Sequence, residues 1–471
     1  RELHLLSRRQ RQMCIRDRLK GWSYISLLKN KVMISSTTNV TESLIREAIT
    51  LHEQQLHKFK EDYDYYIGKH KILTQPPKEK GKPDHRIMVN FPKYIVDRYT
   101  SYFIGVPVKI TSDEPEVNEF IDTYRMENDM DDMEYEIAKI ASIYGRAYAY
   151  LAQDENSNTL ITYATPLEAF VVYDDTIFQR PLFSVYYSKN QTTGEFSGRY
   201  TTREEIVDFI GDTSGFVSDE PKINPYGGIP LIEIVENEER QSAFENVKTL
   251  IDSVNRTLSE KMNDVDALAD AYLKILGAEL DKDALEKLRD NRVINMEGAD
   301  GKSIVVEFLT KPNGDTTQEN LLNRLQDLIF QIAMVANIND KEFGNAVSGV
   351  SLQYKLQAMK DLAQAKERKL KAAMKEWYKM IFKVQSITNK YSEDAWKKLN
   401  YKFTRNLPNN IADEATTAKN LEGIVPKDIQ LSVLSIVDNP KQVADEMEKA
   451  NELPTLPAMT DTNADAEKLN E

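Results

Sequence analysis

From Thr316 onward, apolar residues recur every three or four positions: Leu322, Leu325, Leu328, Ile329, Ile332 and Val335 share one face of a helix. Thr316 and Glu319 have the spacing of a capping box, which predicts the helix start there. A face this apolar must pack on something. From Asn337 to Ser351 the period breaks: Gly344 and Gly349 supply hinges, and Asn337, Asn339 and Asn345 tolerate turn conformations, so the segment reads as an exposed loop. Helical spacing returns at Leu352, Leu356, Met359 and Leu362 and continues through Leu370, Met374, Trp377, Ile381 and Val384. The pattern predicts about forty residues of helix to Tyr391, against roughly 11 to 12 for an average helix. This layout has no place for bond chemistry but suits a protein that holds a loop against something passing by.

The rest of the pattern predicts a mixed α+β chain. Thr41 to Tyr66 reads as a helix opened by Thr41 or Ser43. Lys71 to His85, with Pro76, Pro77, Gly81 and Pro83 among lysines, reads as a loop. Asn90 to Val108 has a proline in its first helical turn and stop signals at Gly105 and Pro107; Glu114 to Tyr144 is a second helical region. Arg146 to Asp208 then alternates in twos, rich in β-branched and aromatic residues, and predicts an antiparallel sheet. Residues 224–228 form a turn before the strand Ile229 to Val235. A helix at Ser242 to Ala271 carries Val247, Leu250, Ile251, Val254, Leu258 and Met262 on one side. Between it and Thr316 lies a compact insertion of short strands (Tyr272–Leu276, Val293–Met296, Ile304–Leu309) and a short helix (Asp283–Asn291). A strand at Lys398 to Arg405 and helices at Ile411–Leu421, Lys427–Val433 and Pro440–Leu453 follow, and the chain from Pro454 reads as a loose tail.

Composition narrows the function. At 471 residues the chain can hold several cores, and with 41% hydrophobic residues it is no disordered polymer. No run reaches the roughly 18 apolar residues of a membrane span; Leu328 to Ile338 is interrupted by Gln331 and Asn337. Cys14 is the only cysteine, and His4, His52, His57, His70 and His85 have no metal-ligand spacing, so no metal or cofactor is expected. The net charge of −14 conceals an asymmetry: residues 1–20 hold seven basic side chains against Glu2 and Asp17, a local +5 that leaves −19 for the rest. That stretch has no apolar core and no helical pattern, and residues 1–32 are read as a foreign or disordered extension, with the native start near Met33. An acidic body argues against a protein that grips phosphate, since affinity for duplex nucleic acid comes mostly from Lys and Arg. It is compatible with a channel through which DNA slides.

Candidate chemistry is sparse. Gly301-Lys302-Ser303 imitates the end of a phosphate loop, but Met296 stands where the motif needs glycine and a strand follows, so a hairpin turn is expected. The carboxylates Asp129, Asp131, Asp132, Glu134 and Glu136 read as an acidic first helical turn rather than a cation site. Asp174 and Asp175 belong to a turn. Lys360, Lys366, Arg368, Lys369, Lys371 and Lys375 form the strongest basic band, expected to be a solvated helix face or, in a ring, to meet a neighbour's acidic surface with salt-sensitive assembly.

Five segments in order resemble the portal proteins, the head-to-tail connectors of tailed bacteriophages, most closely those of phages and prophages of Gram-positive bacteria. They are N-F-P-K-Y-I-V-D-R-Y-T-S-Y-F-I-G-V-P-V from Asn90, T-P-L-E-A-F-V-V-Y-D-D from Thr165, N-P-Y-G-G-I-P from Asn224, N-D-V-D-A-L-A-D-A-Y-L from Asn263 and S-G-V-S-L-Q-Y-K-L from Ser348. The resemblance implies a ring of usually twelve subunits around a DNA channel, at the capsid vertex of the virion. Its partners would be double-stranded DNA without sequence preference, the terminase large subunit, major capsid and scaffolding proteins and a head-completion adaptor, with no membrane. It implies a wing (33–238), stem helices (239–271 and 314–337), a clip (272–313), a tunnel loop (338–351), a long helix and wing strand (352–409), a crown (410–453) and a tail (454–471). The loop would present Asn339, Lys341, Glu342, Phe343, Gly344, Asn345, Ser348 and Gly349 to the channel. Subunits would pack through Val247, Leu250, Ile251, Val254, Leu322, Leu325, Leu328, Ile329 and Ile332. Twelve loops around a helix of about 10 to 10.5 base pairs per turn cannot all engage phosphates at once, which flattens the barrier to translation. The short crown and the N-terminal extension depart from the family. The competing readings are a terminase-like packaging enzyme and a capsid-interior protein that forms no ring.

Overall fold

The computed structural model describes residues 25–27, 32–80, 82–190, 192–212, 215–269, 273–276, 305–308, 315–337, 354, 356–406, 411–434, 436–437 and 440–451. The chain divides into two units, Arg1–Arg405 and Asn406–Glu471.

The first unit opens with strands β1 (Ile25–Leu27) and β2 (Met33–Ser35) and helix α1 (Glu42–Tyr66). Thr41 caps α1, its hydroxyl accepting from the Leu44 amide. One helical turn, Lys71–Thr74, interrupts the loop that follows. Helix α2 (Phe91–Ile104) has Asn90 as its N-cap and Pro92 in its first turn and ends at Gly105, as its punctuation predicts. Strand β3 (Lys109–Thr111) precedes α3 (Pro115–Glu127) and α4 (Met130–Tyr144). The single helical region expected at 114–144 is thus two helices, broken where Asp129 takes a left-handed conformation (φ 46°).

The alternating stretch makes two sheets rather than one. In the smaller, β4 (Arg146–Gln153) lies between β5 (Thr159–Ala164) and β12 (Leu231–Val235). In the larger, β6 (Ala169–Asp174), β7 (Pro181–Lys189), β8 (Phe196–Thr202), β9 (Glu205–Gly211) and β10 (Phe216–Ser218) form an antiparallel meander, and β11 (Lys222–Ile223) also pairs with β9. β2 joins β6 in parallel and β1 pairs with β2, so residues 25–27 are built into the sheet ahead of the start expected at Met33. Alternation fixes which face is covered: Phe170 opposite Val185 and Val172 opposite Phe183 point into a core closed by Leu44, Ile45 and Ile49 of α1. Gly145, at φ 84°, makes the turn from α4 into β4 against the backbone of Arg240, where a Cβ would collide.

After β12 a 3₁₀ turn (Glu245–Val247) leads into α5 (Lys248–Ala269). An antiparallel pair, β13 (Leu273–Leu276) and β14 (Val305–Phe308), is the described part of the insertion and bears out the strand expected after Ser303. The remaining insertion elements, including Gly301-Lys302-Ser303, lie outside the described residues. Helix α6 (Asp315–Ala333) starts at Asp315, so Thr316 lies inside it, and Glu319 pairs with Lys261 of α5; the capping box is not formed. Helix α7 (Gln357–Ile387) has 31 residues and ends short of the expected Tyr391 because the chain turns at Thr388 and Asn389 (φ 55°). Strand β15 (Asn400–Lys402) then pairs with β3.

The second unit holds α8 (Ile411–Asn420), α9 (Lys427–Leu431) and α10 (Pro440–Asn451). The Gln430 amide donates to the Ala418 carbonyl and ties α9 to the end of α8.

Candidate functional site

The expected stem helices α5 and α6 pack side by side, joined through the β13–β14 pair. Val247, Ile251 and Val254 are buried and Leu250 is half-buried. In four-residue steps from the buried Ile251, α5 carries a buried polar row that its apolar pattern does not predict: Asn255, Ser259 and Asn263. These accept the amides of Val89 (2.9 Å), Ile87 (2.9 Å) and His85 (2.7 Å). Two extended residues advance about 6.6 Å and four helical residues about 6.0 Å, so every second amide of the loop meets one side chain per helical turn. Asn255 also donates to His70 Nδ1, whose Nε2 donates to the Tyr65 carbonyl. The proline-rich loop is thereby a strap clamped to α5 by side chains.

On α6, Ile329 is buried while Leu322, Leu325 and Leu328 are half-buried and Ile332 is 46% exposed. The expected face is thus only partly covered within one subunit. Phe330 lies edge-on to Phe91 and Tyr94 of α2 and holds the C-terminal end of α6 to the body. Beyond it Val335 and Met359 are buried, and the Ala336 amide reaches Met359 Sδ at 3.5 Å. The two anchors of the glycine-bearing segment therefore meet. Asn339, Lys341, Glu342, Phe343, Gly344, Asn345, Ser348 and Gly349 themselves lie outside the described residues.

The basic band on α7 needs one correction. Lys366 is no part of a solvated face: its ammonium is buried, paired with Glu236, 3.1 Å from Ser142 Oγ and 3.8 Å above the Tyr99 ring. Burial pushes its pKa down while Glu236 opposes the shift. Residue identity alone could not separate Lys366 from its neighbours, but its position among Ala363, Leu370 and Ala373, on the buried side of the helix, was a usable signal. Lys369 reaches Glu238, and Lys360, Arg368 and Lys375 remain exposed.

Two further ionic clusters tie α1 to the start of α5 and the two sheets to each other. Lys58 and Lys248 share Asp62 and Glu245; burial would raise the Glu245 carboxyl, but hydrogen bonds from both lysines hold it down to about 2. Glu233 accepts from Arg240 (2.7 and 2.9 Å) and the Tyr173 hydroxyl (2.7 Å), with Arg146 at 3.3 Å. Burial alone would raise its carboxyl, and the two guanidinium groups bring it to about 2. The acidic segment after Asp129 is spoken for in part: Asp131 and Glu134 both close on Arg125 at 2.6 Å. Asp174 accepts from the amides of Thr176 and Arg180, the turn its place predicts. No group of acidic, histidine or cysteine side chains among the described residues is placed to hold a metal.

The family model described as "Phage portal protein, SPP1 Gp6-like" matches residues 46–453. The portal protein of Bacillus phage SPP1 is 26% identical over 361 residues, 72% of this chain and 70% of that protein. The portal protein of Clostridium phage phiCD119 is 24% identical over 423 residues, 82% of this chain and 91% of that protein. Solved structures of the neck of an empty GTA particle computed with C6 symmetry, and of a native GTA particle computed with C12 symmetry, superimpose with a TM-score of 0.43 at 11% identity. They cover 72% and 74% of this chain and 89% and 91% of theirs. With the family model matched across most of its length, this chain belongs to the SPP1 Gp6-like phage portal proteins.

Proposed function

We infer that copies of this chain close into a ring at the capsid vertex, the twelve-membered ring its family resemblance implies, and that double-stranded DNA passes through the ring during packaging and ejection. The observation that carries this reading is the α6 face: Leu322, Leu325 and Leu328 are half-covered and Ile332 exposed, so one subunit leaves an apolar row for another to complete. α5 and α6 form the stem, residues 272–313 the clip, and residues 338–351 a tunnel loop. The adjacent anchors at Ala336 and Met359 suit a loop that projects from one point. The terminase large subunit, capsid and scaffolding proteins and an adaptor dock on the ring, and the chain acts structurally rather than as an enzyme. Replacing Gly344 and Gly349 with alanine leaves assembly intact and impairs packaging. Unchanged packaging argues against a moving loop, and ATP hydrolysis by the purified chain would favour a packaging enzyme instead.

A further inference from the structure

Two exposed helix faces of the first unit carry opposite charge without ion-pair partners among the described residues. On α7, Lys360, Arg368, Lys371 and Lys375 fall within an arc of about 80° at 100° per residue and span about 22 Å. Lys360, Arg368 and Lys375 are exposed; Lys371 is half-buried over the Tyr401 ring. Lys366, Lys369 and Lys379 have Glu236, Glu238 and Glu376, but no described carboxylate lies within ion-pair distance of these four. Beside them Ala358, Ala365 and Ala372 are exposed at seven-residue spacing, so another helix can approach closely.

On α3, Glu116, Glu119, Asp122 and Glu127 are exposed over about 16 Å. Met126 stands among them, 75% exposed, and Asp129 and Asp132 continue the charge beyond the helix. The only cation of α3, Arg125, is turned away onto Glu134, Asp131 and Tyr378. The inner sides of the two helices already meet within one subunit, where Phe120 lies 5.5 Å from Phe382. Their charged sides face out.

We propose that these faces are the two halves of one contact between neighbouring copies: the basic side of α7 on one protomer against the acidic side of α3 on the next, with Met126 seated in the alanine row. The proposal rests on the ring reading and specifies its interface. A closed ring needs a head-to-tail contact between two different patches of the same chain, and these patches are complementary in sign and similar in length. DNA is the weaker occupant for the basic side, because the chain as a whole is strongly acidic.

The test is charge reversal read by native mass and sedimentation on the full chain. R368E/K375E and E119K/D122K each weaken assembly by on the order of tenfold or more, the combined variant recovers wild-type assembly, and raising salt from about 0.1 M to about 0.5 M weakens the wild type. All the altered side chains are exposed, so thermal unfolding confirms that each variant is folded. If the wild type forms rings and both reversed variants assemble normally, the pairing is wrong and the ring stands. Normal assembly of R368E/K375E with lost retention of duplex DNA assigns the α7 face to nucleic acid and overturns the proposal. A wild type that stays monomeric at every salt concentration removes the ring and the pairing together.

Discussion

Lys366 and Glu236 form a buried ion pair that joins the middle of α7 to the chain just beyond β12, each side chain about as hidden as the apolar core around it. Ser142 bridges the two, 3.1 Å from the ammonium and 3.2 Å from the carboxylate. Removing one partner strands the other charge without water. Lys366→Met or Glu236→Leu should each cost about 3 to 5 kcal/mol of stability, and the double variant K366M/E236L should cost clearly less than the sum. Denaturant unfolding of the four proteins gives the comparison; additive losses would mean that the two charges do not depend on each other.

The strap makes a second, local prediction. Asn255→Ala removes the acceptor of the Val89 amide and the donor to His70, so it should cost about 1 to 3 kcal/mol. Ser259→Ala should cost less: it frees the Ile87 amide, while the Asn255 carbonyl that the hydroxyl also donates to is a helix carbonyl. Hydrogen exchange reads the same event directly: the amides of His85, Ile87 and Val89 should be protected in the wild type, and each variant should speed exchange at its own amide first. Equal exchange throughout would show that the clamp contributes nothing to order.

His52 sets a pH dependence. Its Nε2 lies 2.8 Å from the Pro166 carbonyl, which can only accept, so the neutral ring donates there and Nδ1 accepts from the Tyr187 hydroxyl. Burial is the main cause that lowers its pKa to about 4; the Pro166 bond opposes the shift and the charge of Arg146 adds to it. The unfolded chain binds this proton below about pH 6.5 and the folded chain does not until about pH 4. The contribution is therefore complete above about pH 6.5 and is lost as pH falls toward 4, by about 3 kcal/mol in all. His52→Gln should flatten stability in that window; an unchanged slope would assign it to other groups.

Gly145 offers a backbone test. It turns α4 into β4 at φ 84°, with the Arg240 carbonyl where a side chain would stand. Gly145→Ala should lower stability by at least about 1 kcal/mol, through strain added to collision. Thermal unfolding measures it, and a neutral substitution would mean that the turn relaxes.

Much of this organisation was legible in the sequence. Thr41, Asn90 and Gly105 punctuate helices whose ends are set by local chemistry, and the alternation at Ala169–Asp174 and Pro181–Lys189 follows from one covered face. What depended on distant partners was not legible. The division of the strands into two sheets depends on β12 returning to β4 from some eighty residues away, and periodicity carries no such information. Glu319 has the spacing of a local cap, but Lys261 across the helix pair takes it. Lys366 shares the charge of its neighbours, but its place on the buried side of α7 decides its fate. The residues expected to pack subunits divide similarly: Val247, Ile251, Val254 and Ile329 are buried inside the subunit, whereas Ile332 is left outside.

The ring itself is tested most directly by native mass of the full chain together with negative-stain imaging. Closed rings with a central hole about as wide as a DNA duplex are the predicted result. A monomer that persists across salt concentrations would contradict it, and the apolar row on α6 would then need another explanation.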